Sequence, residues 1–375
     1  MYLNQGKLRF KLAPDDNGAA AASYLTRGAT FADLEGDGDL DLVLTTFRKG
    51  TLCFKNDGNG VFSDITSESG LESTASGTSM ALGDVDGDGD LDLYVANFGE
   101  LALLRDGGSF AVRKVGGETI VTGLHAKRLK IVNGKIVEFG ESDAFYLNDG
   151  QGKFQRVPWG ALRFRDVDGQ PLAEPIDFGL SVQMRDINGD GFTDIYVCND
   201  FQTPDRFCLN DGTGQYRAAG PVSIRSVAYA SMGVDFADLD RDGNTDFFVA
   251  EMLSRGAINR LLKVSPNKPV PPKPGTPLER LQVARNTLFW NRGDGTFAEV
   301  GRYAGIEATD WSWQPVFMDV DLDGYEDLLI TNGHLHDVND RDALARFARM
   351  PKSKREQVGT LAFPPFQTCL LYTSP

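Results

Sequence analysis

The chain has 375 residues, 41% of them hydrophobic, and a formal charge of −15 from 53 acidic and 38 basic side chains. That apolar content is ordinary for a folded globular protein, no apolar run approaches the roughly 18 residues of a membrane span, and the acidity excludes nucleic acid as a partner, since phosphate binding needs a basic surface. The four cysteines, Cys53, Cys198, Cys208 and Cys369, form no CxxC pair, which argues against zinc and thioredoxin-type chemistry.

Taken in order, the chain reads as a two-part repeat. Short β-type runs are broken by turn residues and helical periodicity is scarce, which predicts an all-β fold. The first half of a unit is an apolar strand, a nine-residue acidic loop and a second strand; the second half is an aromatic or leucine strand, an Asn-x-Gly turn and a phenylalanine. The chain opens inside a second half at Tyr2–Phe10. The loop Asp33–Asp41 follows, then a second half at Leu52–Phe62, and the loop Asp84–Asp92 begins 51 residues after the first. A weak second half is expected at Leu103–Phe110, and residues 111–154 are read as a degenerate unit that has lost its loop and resumes at Phe145–Phe154. The loops Asp186–Asp194 and Asp238–Asp246 come next, 52 residues apart, with a second half at Phe207–Gly212 between them; Cys198 and Cys208 fall on strands expected to be neighbours, and two small buried strand residues is the preferred reading of them.

An insertion at about 252–284 is proline-rich over Pro266–Pro274 and is expected on the surface. A second half follows at Leu288–Phe297. The last loop, Asp319–Asp327, leads into an excursion over 333–365 with a short helix expected in 339–357, and Phe366–Pro375 is read as a final second half without its turn. Met1–Asn4 lacks the pattern of a signal segment, and the chain starts and stops inside repeats, so a fragment is expected, with the origin of its last residues left open.

The five loops share one ligand pattern. Oxygen-bearing side chains stand at positions 1, 3, 5 and 9: Asp33, Glu35, Asp37 and Asp41; Asp84, Asp86, Asp88 and Asp92; Asp186, Asn188, Asp190 and Asp194; Asp238, Asp240, Asp242 and Asp246; Asp319, Asp321, Asp323 and Asp327. Position 7, held by Asp39, Asp90, Phe192, Asn244 and Tyr325, offers a backbone carbonyl. Position 6 is always glycine (Gly38, Gly89, Gly191, Gly243, Gly324), which permits the positive φ that coiling around an ion requires. Ca²⁺ takes about six to eight oxygen ligands, and such a loop supplies them. An EF-hand would need Glu at position 12 and a following helix; here position 12 is Leu44, Val95, Val197, Val249 or Ile330, in a strand-like run. The loops hold 22 of the 53 acidic residues, and five divalent cations would bring the charge of −15 to about −5. The competing reading is five metal-free Asp-Gly hairpins, against which stands the mutual repulsion of their carboxylates. Asn188, Arg241 and the longer Glu35 mark the third, fourth and first loops as weaker sites.

The stretches Gly83–Asn97 and Asn286–Phe297, with Thr309–Trp313 and Thr331–His334, resemble the FG-GAP/VCBS repeats of integrin-α-type β-propellers, in the bacterial branch related to cartilage acidic protein. The resemblance covers most of residues 2–335, with 111–142 the main gap. It implies one β-propeller domain over 1–375, with four-stranded blades around a channel. Ca²⁺ would sit at the hairpin between the first two strands, at about five sites, and the setting would be extracellular or at the cell surface. Seven blades of about 50 residues fit the length, with six as the alternative.

If the acidic loops join strands one and two, the excursions at 252–284 and 333–365 lie at the other end of the blades, and long loops commonly carry function. Trp311 and Trp313 enter an inner strand from that end, and His334, His336 and Asp337 leave on it. These five are the ligand-face candidates, against core packing for the tryptophans and ordinary loop roles for the histidines. His125 has no partner in sequence. Two functions follow: a calcium-stabilised module that binds a protein or glycan, and a polysaccharide lyase or hydrolase using the same face. The first is preferred because no GxSxG, HExxH, Walker or dinucleotide motif is present.

Overall fold

Each of the five acidic loops closes an antiparallel hairpin. Thr26–Ala32 pairs with Asp41–Thr46, Gly77–Gly83 with Asp92–Asn97, Gly233–Ala237 with Asp246–Ala250, and Ser312–Met318 with Asp327–Asn332; Gly179–Arg185 and Asp194–Asn199 are likewise neighbours in one sheet. A second hairpin, closed by the Asn-x-Gly turn, completes the sheet. Thr51–Asn56 and Phe62–Asp64 do so beside the Asp33 loop, Ala144–Asn148 and Phe154–Arg156 beside the Asp84 loop, and Thr287–Asn291 and Phe297–Glu299 beside the Asp238 loop. The two halves of the sequence repeat are therefore the two hairpins of one sheet. This computed structural model describes residues 2–7, 9–13, 17–19, 24–99, 110–123, 126–132, 135–159, 163–172, 174–200, 203–262, 280–334, 336–338, 340–363 and 372–373. His125, Cys369, Pro266–Pro274 and most of Leu103–Phe110 lie outside them.

Among the described residues, five sheets have three to five strands and four more are two-stranded pairs. The fold is all-β, as expected. Two of the seven anticipated blades are built differently. Ala144–Asn148 pairs directly with Asp92–Asn97, so residues 144–156 complete the Asp84 sheet and do not found a separate blade over 111–154. The stretch between holds two small hairpins, Ala111–Val115 with Glu118–Thr122 and Leu129–Val132 with Lys135–Glu138. No loop was lost there; the connection from strand two to strand three was lengthened. Tyr2–Asn4 and Phe10–Leu12 form a hairpin of their own. At the other end, Tyr372–Thr373 pairs with Leu329 and Ile330 and occupies the third-strand position expected for the last stretch. Helices Ala257–Leu262, Arg341–Ala348 and Lys352–Val358 fall in the 252–284 and 333–365 connections.

The described residues divide into two compact units, residues 1–185 with 192–197 and 209–217, and residues 186–191 with 198–208 and 218–375. Second strands read as unbroken apolar runs because both faces are covered: Asp41–Thr46 and Asp92–Asn97 are buried at every position. In the first unit Val43 and Cys53 pack with Leu93, Val95 and Tyr146 of the next sheet, while Leu42, Leu44 and Phe54 form a cluster on the opposite face. First strands also touch across sheets, with Thr78 Oγ1 donating to the Gly179 carbonyl at 2.6 Å. In the second unit Phe248 and Leu288 pack with Leu328 and Ile330, and the Phe317 N–H donates to Asp235 Oδ2 at 2.7 Å. Such sheets depend on their neighbours for burial, as propeller blades do. Cys53, Cys198 and Cys208 are buried, in keeping with small strand residues.

The second strand of the Asp238 sheet runs out at Glu251, whose N–H donates to Asn286 Oδ1 at 2.7 Å. Burial, with a contribution from the Asp200 charge, pushes the Glu251 carboxyl up to about 8 despite backbone N–H donors at Leu253 and Met252. A carboxyl raised by folding keeps its neutral form, and the stability that goes with it, below its unfolded value, and loses that stability as pH rises through its folded value. Stability of the parent should therefore fall between pH 5 and pH 9 more steeply than that of Glu251→Gln, which should be the more stable at pH 9 by on the order of 3 kcal/mol. Denaturant titrations of both proteins at equal calcium check this.

Candidate metal centre

Two left-handed residues coil each acidic loop. Position 6 is glycine at φ 92, 93, 88, 88 and 90° in chain order. Position 4 is also left-handed, at Gly36, Gly87 and Gly189, and it remains so where it is Arg241 (φ 61°) and Leu322 (φ 63°). The coil turns backbone N–H groups onto the first carboxylate. Asp84 accepts from Gly87 N at 2.8 Å on one oxygen and from Gly89 N at 3.0 Å on the other. Asp33 and Asp186 repeat this pair, and Gly243 N and Gly324 N donate to Asp238 and Asp319 in the same way.

Position 9 has a different environment. Asp41, Asp92, Asp194 and Asp246 are almost wholly buried at the start of their strands. Asp92 Oδ2 accepts from Val85 N at 3.2 Å and its Oδ1 from Asn148 N at 2.8 Å. Asp41 and Asp246 are held in the same way by position 2 of their own loop and by the Asn of the third strand. Burial raises Asp92 to about 7 and Asp246 to about 6, against these N–H donors.

Positions 1, 3 and 5 come together. In the groups Asp84–Asp86–Asp88, Asp238–Asp240–Asp242 and Asp319–Asp321–Asp323, one carboxylate oxygen from each residue lies within 4.8 Å of the others. Position 9 stands outside these groups. Three hard oxygens at that spacing suit a hard cation such as Ca²⁺. The charge balance points the same way, since Asp86 is pushed up by burial and then by the Asp88 and Asp84 charges, and its Oδ1 has no hydrogen-bond partner. A divalent ion would relieve both strains.

The loops are not equivalent. Lys55 forms an ion pair with Glu35 and lies 3.8 Å from Asp37, placing an ammonium within the first loop. In the third, Asn188 Nδ2 donates to Asp190 Oδ2 at 2.9 Å. The fourth was expected to suffer from Arg241, yet its three aspartates gather, because the guanidinium turns outward to lie 4.1 Å from the centre of the Tyr325 ring. Donors that sequence reasoning passed over reach position 3: Lys55 to Glu35, Arg163 to Asp86 at 3.6 Å, and Trp290 Nε1 to Asp240 Oδ2 at 2.7 Å. Lys55 and Trp290 each precede the Asn of an Asn-x-Gly turn, so aligning the second halves with one another would have exposed them.

All five loops fall within residues 33–95, 186–249 and 282–330, which match the FG-GAP-like repeat family. The chain carries FG-GAP-like repeats. Mouse and human cartilage acidic protein 1 are each 27% identical to it over 341 residues, 82% of this chain and 48% and 47% of theirs. The chain thus spans about half the length of the curated relatives it matches. Among solved structures, the rhamnogalacturonan lyase PL11 of Bacillus licheniformis aligns over 83% of this chain and 47% of its own, at 14% identity and a TM-score of 0.38.

At the other end of the FG-GAP-like sheets, Trp311 is buried and stacks on His334, with ring centres 4.5 Å apart and 22° between planes. Trp313 is 41% exposed and donates to the Gly333 carbonyl at 2.8 Å. His334 Nδ1 lies 2.7 Å from the His336 carbonyl, and Asp337 is buried. Among the described residues neither histidine joins a group of three metal-ligating side chains.

The loop geometry gives a direct test of backbone strain. A non-glycine residue at a left-handed position costs about 1–2 kcal/mol, part of which glycine returns as unfolded-state entropy. Leu322→Gly should therefore raise stability by about 0.5–1 kcal/mol. Gly89→Ala, where a Cβ meets nothing within 4 Å but φ is 93°, should lower it by about 1–3 kcal/mol. Denaturation midpoints of the two variants should move in opposite directions.

Proposed function

We propose that this chain is a calcium-stabilised, extracellular β-propeller module whose acidic loops hold the scaffold and whose opposite end binds a protein or glycan ligand. The observation that carries the calcium reading is the gathering of carboxylate oxygens at positions 1, 3 and 5 of three loops, all oxygen donors and mutually repulsive. When bound, Ca²⁺ neutralises those carboxylates. Positions 1, 3 and 5 would hold it, with the position-7 carbonyl and the carboxylate at position 9 as further oxygens. The first and third loops complete the count of about five sites, with Lys55 tempering the first and Asn188 the third.

Recognition is assigned to the other end of the sheets. The three long connections leave there, from the ends of second strands at Asn97, Ala250 and Asn332. Trp313 offers an exposed indole face for a sugar ring or an apolar side chain, fixed by its bond to Gly333. Two residues before it, the buried Trp311 stacks on the half-buried His334.

At calcium ten times Kd each filled site adds about 1.4 kcal/mol of stability. Chelation should thus lower Tm by several degrees, and an unchanged Tm would count against structural calcium. Terbium, a luminescent stand-in for Ca²⁺, should be sensitised through Trp290 beside Asp240. Calcium should quench that signal by competition, Trp290→Phe should abolish it, and Asp240→Asn should weaken binding at least about tenfold, the cost of one lost charged ligand. Ligand binding is tested on a glycan and matrix-protein array, where Trp313→Ala should reduce retention with Tm unchanged. Retention equal to the parent on every bound ligand would remove Trp313 from the binding surface.

A further inference from the structure

In three of the Asn-x-Gly turns the asparagine touches two acidic loops. Asn148 ends the third strand of the Asp84 sheet; its backbone N–H donates to Asp92 Oδ1 in its own unit, while its Nδ2 donates to the Leu34 carbonyl, position 2 of the preceding loop, at 2.8 Å. Asn210 does the same, with N to Asp194 Oδ1 at 2.8 Å and Nδ2 to the Val85 carbonyl at 2.7 Å. Asn291 N donates to Asp246 Oδ1 at 2.7 Å, and its Nδ2 donates both to the Ile187 carbonyl at 3.2 Å and to the Thr245 carbonyl of its own loop at 3.1 Å. Asn56 follows the first loop of the chain, and its Nδ2 goes to Leu40 of that same loop.

The contacted peptide is mechanically central. Residue 2 lies between ligand positions 1 and 3. The N–H of Leu34 and of Val85 is held by the position-9 carboxylate of its own loop, and its carbonyl by the asparagine of the next unit. The same turns touch position 3: a Cβ on Gly152 would stand 3.5 Å from Glu35 Oε2, and one on Gly214 only 2.9 Å from Asp86 Cβ. Rotation of the position-2 peptide in one loop therefore pulls on the side chain of the asparagine whose backbone N–H holds the position-9 aspartate of the next.

We propose that Asn148, Asn210 and Asn291 are positioning residues that couple metal binding between successive loops, so that filling one loop raises the affinity of its neighbour. The inference rests on the calcium reading above. Its physical basis is that a bound cation orders the position-2 peptide, and the next loop then has less order to acquire. Coupling of this kind is reciprocal and commonly amounts to about 5-fold or more in affinity.

The pair joined by Asn291 can be read optically, because Trp290 reports the Asp238 loop. Terbium titrations of the full chain, followed through Trp290, are made on the parent, on Asp190→Asn, which disables the preceding loop, on Asn291→Asp and on the double variant. Asn291→Asp removes the Nδ2 donor and keeps the Oδ1 that accepts from Gly293 N at 3.0 Å, so the turn survives. In the parent background, Asp190→Asn should weaken terbium binding at the Asp238 loop about 5-fold or more. In the Asn291→Asp background the same change should have no effect. Asn291→Ser should reproduce that result and separates loss of the donor from gain of a charge. Terbium binding at the Asp238 loop that ignores Asp190→Asn in the parent would overturn the coupling while leaving the metal reading intact. Absence of luminescence at every terbium concentration would overturn the metal reading and the coupling with it.

Discussion

A buried carboxylate with a backbone N–H on each oxygen sits at the junction of the two hairpins in three of the sheets. Asp92 shows the arrangement most fully, gripping Val85 of the acidic loop with one oxygen and Asn148 of the turn strand with the other. Hydrogen bonds to a charged group are worth about 1.5–3 kcal/mol each, and a carboxylate buried without them would be prohibitive. The carboxylate therefore tolerates burial only when both hairpins are formed and in register. That condition explains why loop and turn recur together as one repeat.

Around this junction the acidic loop is a frustrated object. Its coil is set by left-handed residues and by N–H donors to position 1, and in three of the loops the carboxylates at positions 1, 3 and 5 lie within reach of one another. Protein cations and donors soften the strain in individual loops: Lys55 at Glu35, Arg163 at Asp86, Trp290 at Asp240. The loops thus share one backbone and differ in charge balance.

The hairpins and the acidic loops were readable from sequence because each depends on local chemistry. Asp-x-Asp-x-Asp-Gly fixes a turn, and apolar runs such as Leu93–Ala96 fix the strands leaving it. What escaped was long-range. Nothing near Gly140 says that Ala144 pairs with Val95 across a connection of more than forty residues, and so the second half at 145–154 was given to a blade of its own. Arg241 looked disruptive because its position in the loop was visible and the Tyr325 ring that receives it, more than eighty residues away, was not. The asparagines read as turn formers, which they are; their side-chain reach into the preceding loop depends on how sheets pack.

The connections between second and third strands differ sharply in length. In the Asp33 sheet four residues suffice between Thr46 and Thr51, whereas the Asp84 sheet interposes two hairpins and the Asp319 sheet two helices. The acidic ends, by contrast, keep nine residues and one conformation. Variation has been confined to the end that the carboxylate junction does not reach. Such an architecture makes one end of each sheet a fixed clasp and the other a free margin, where segments can be exchanged, lengthened or grafted while the hairpin closures stay as they are.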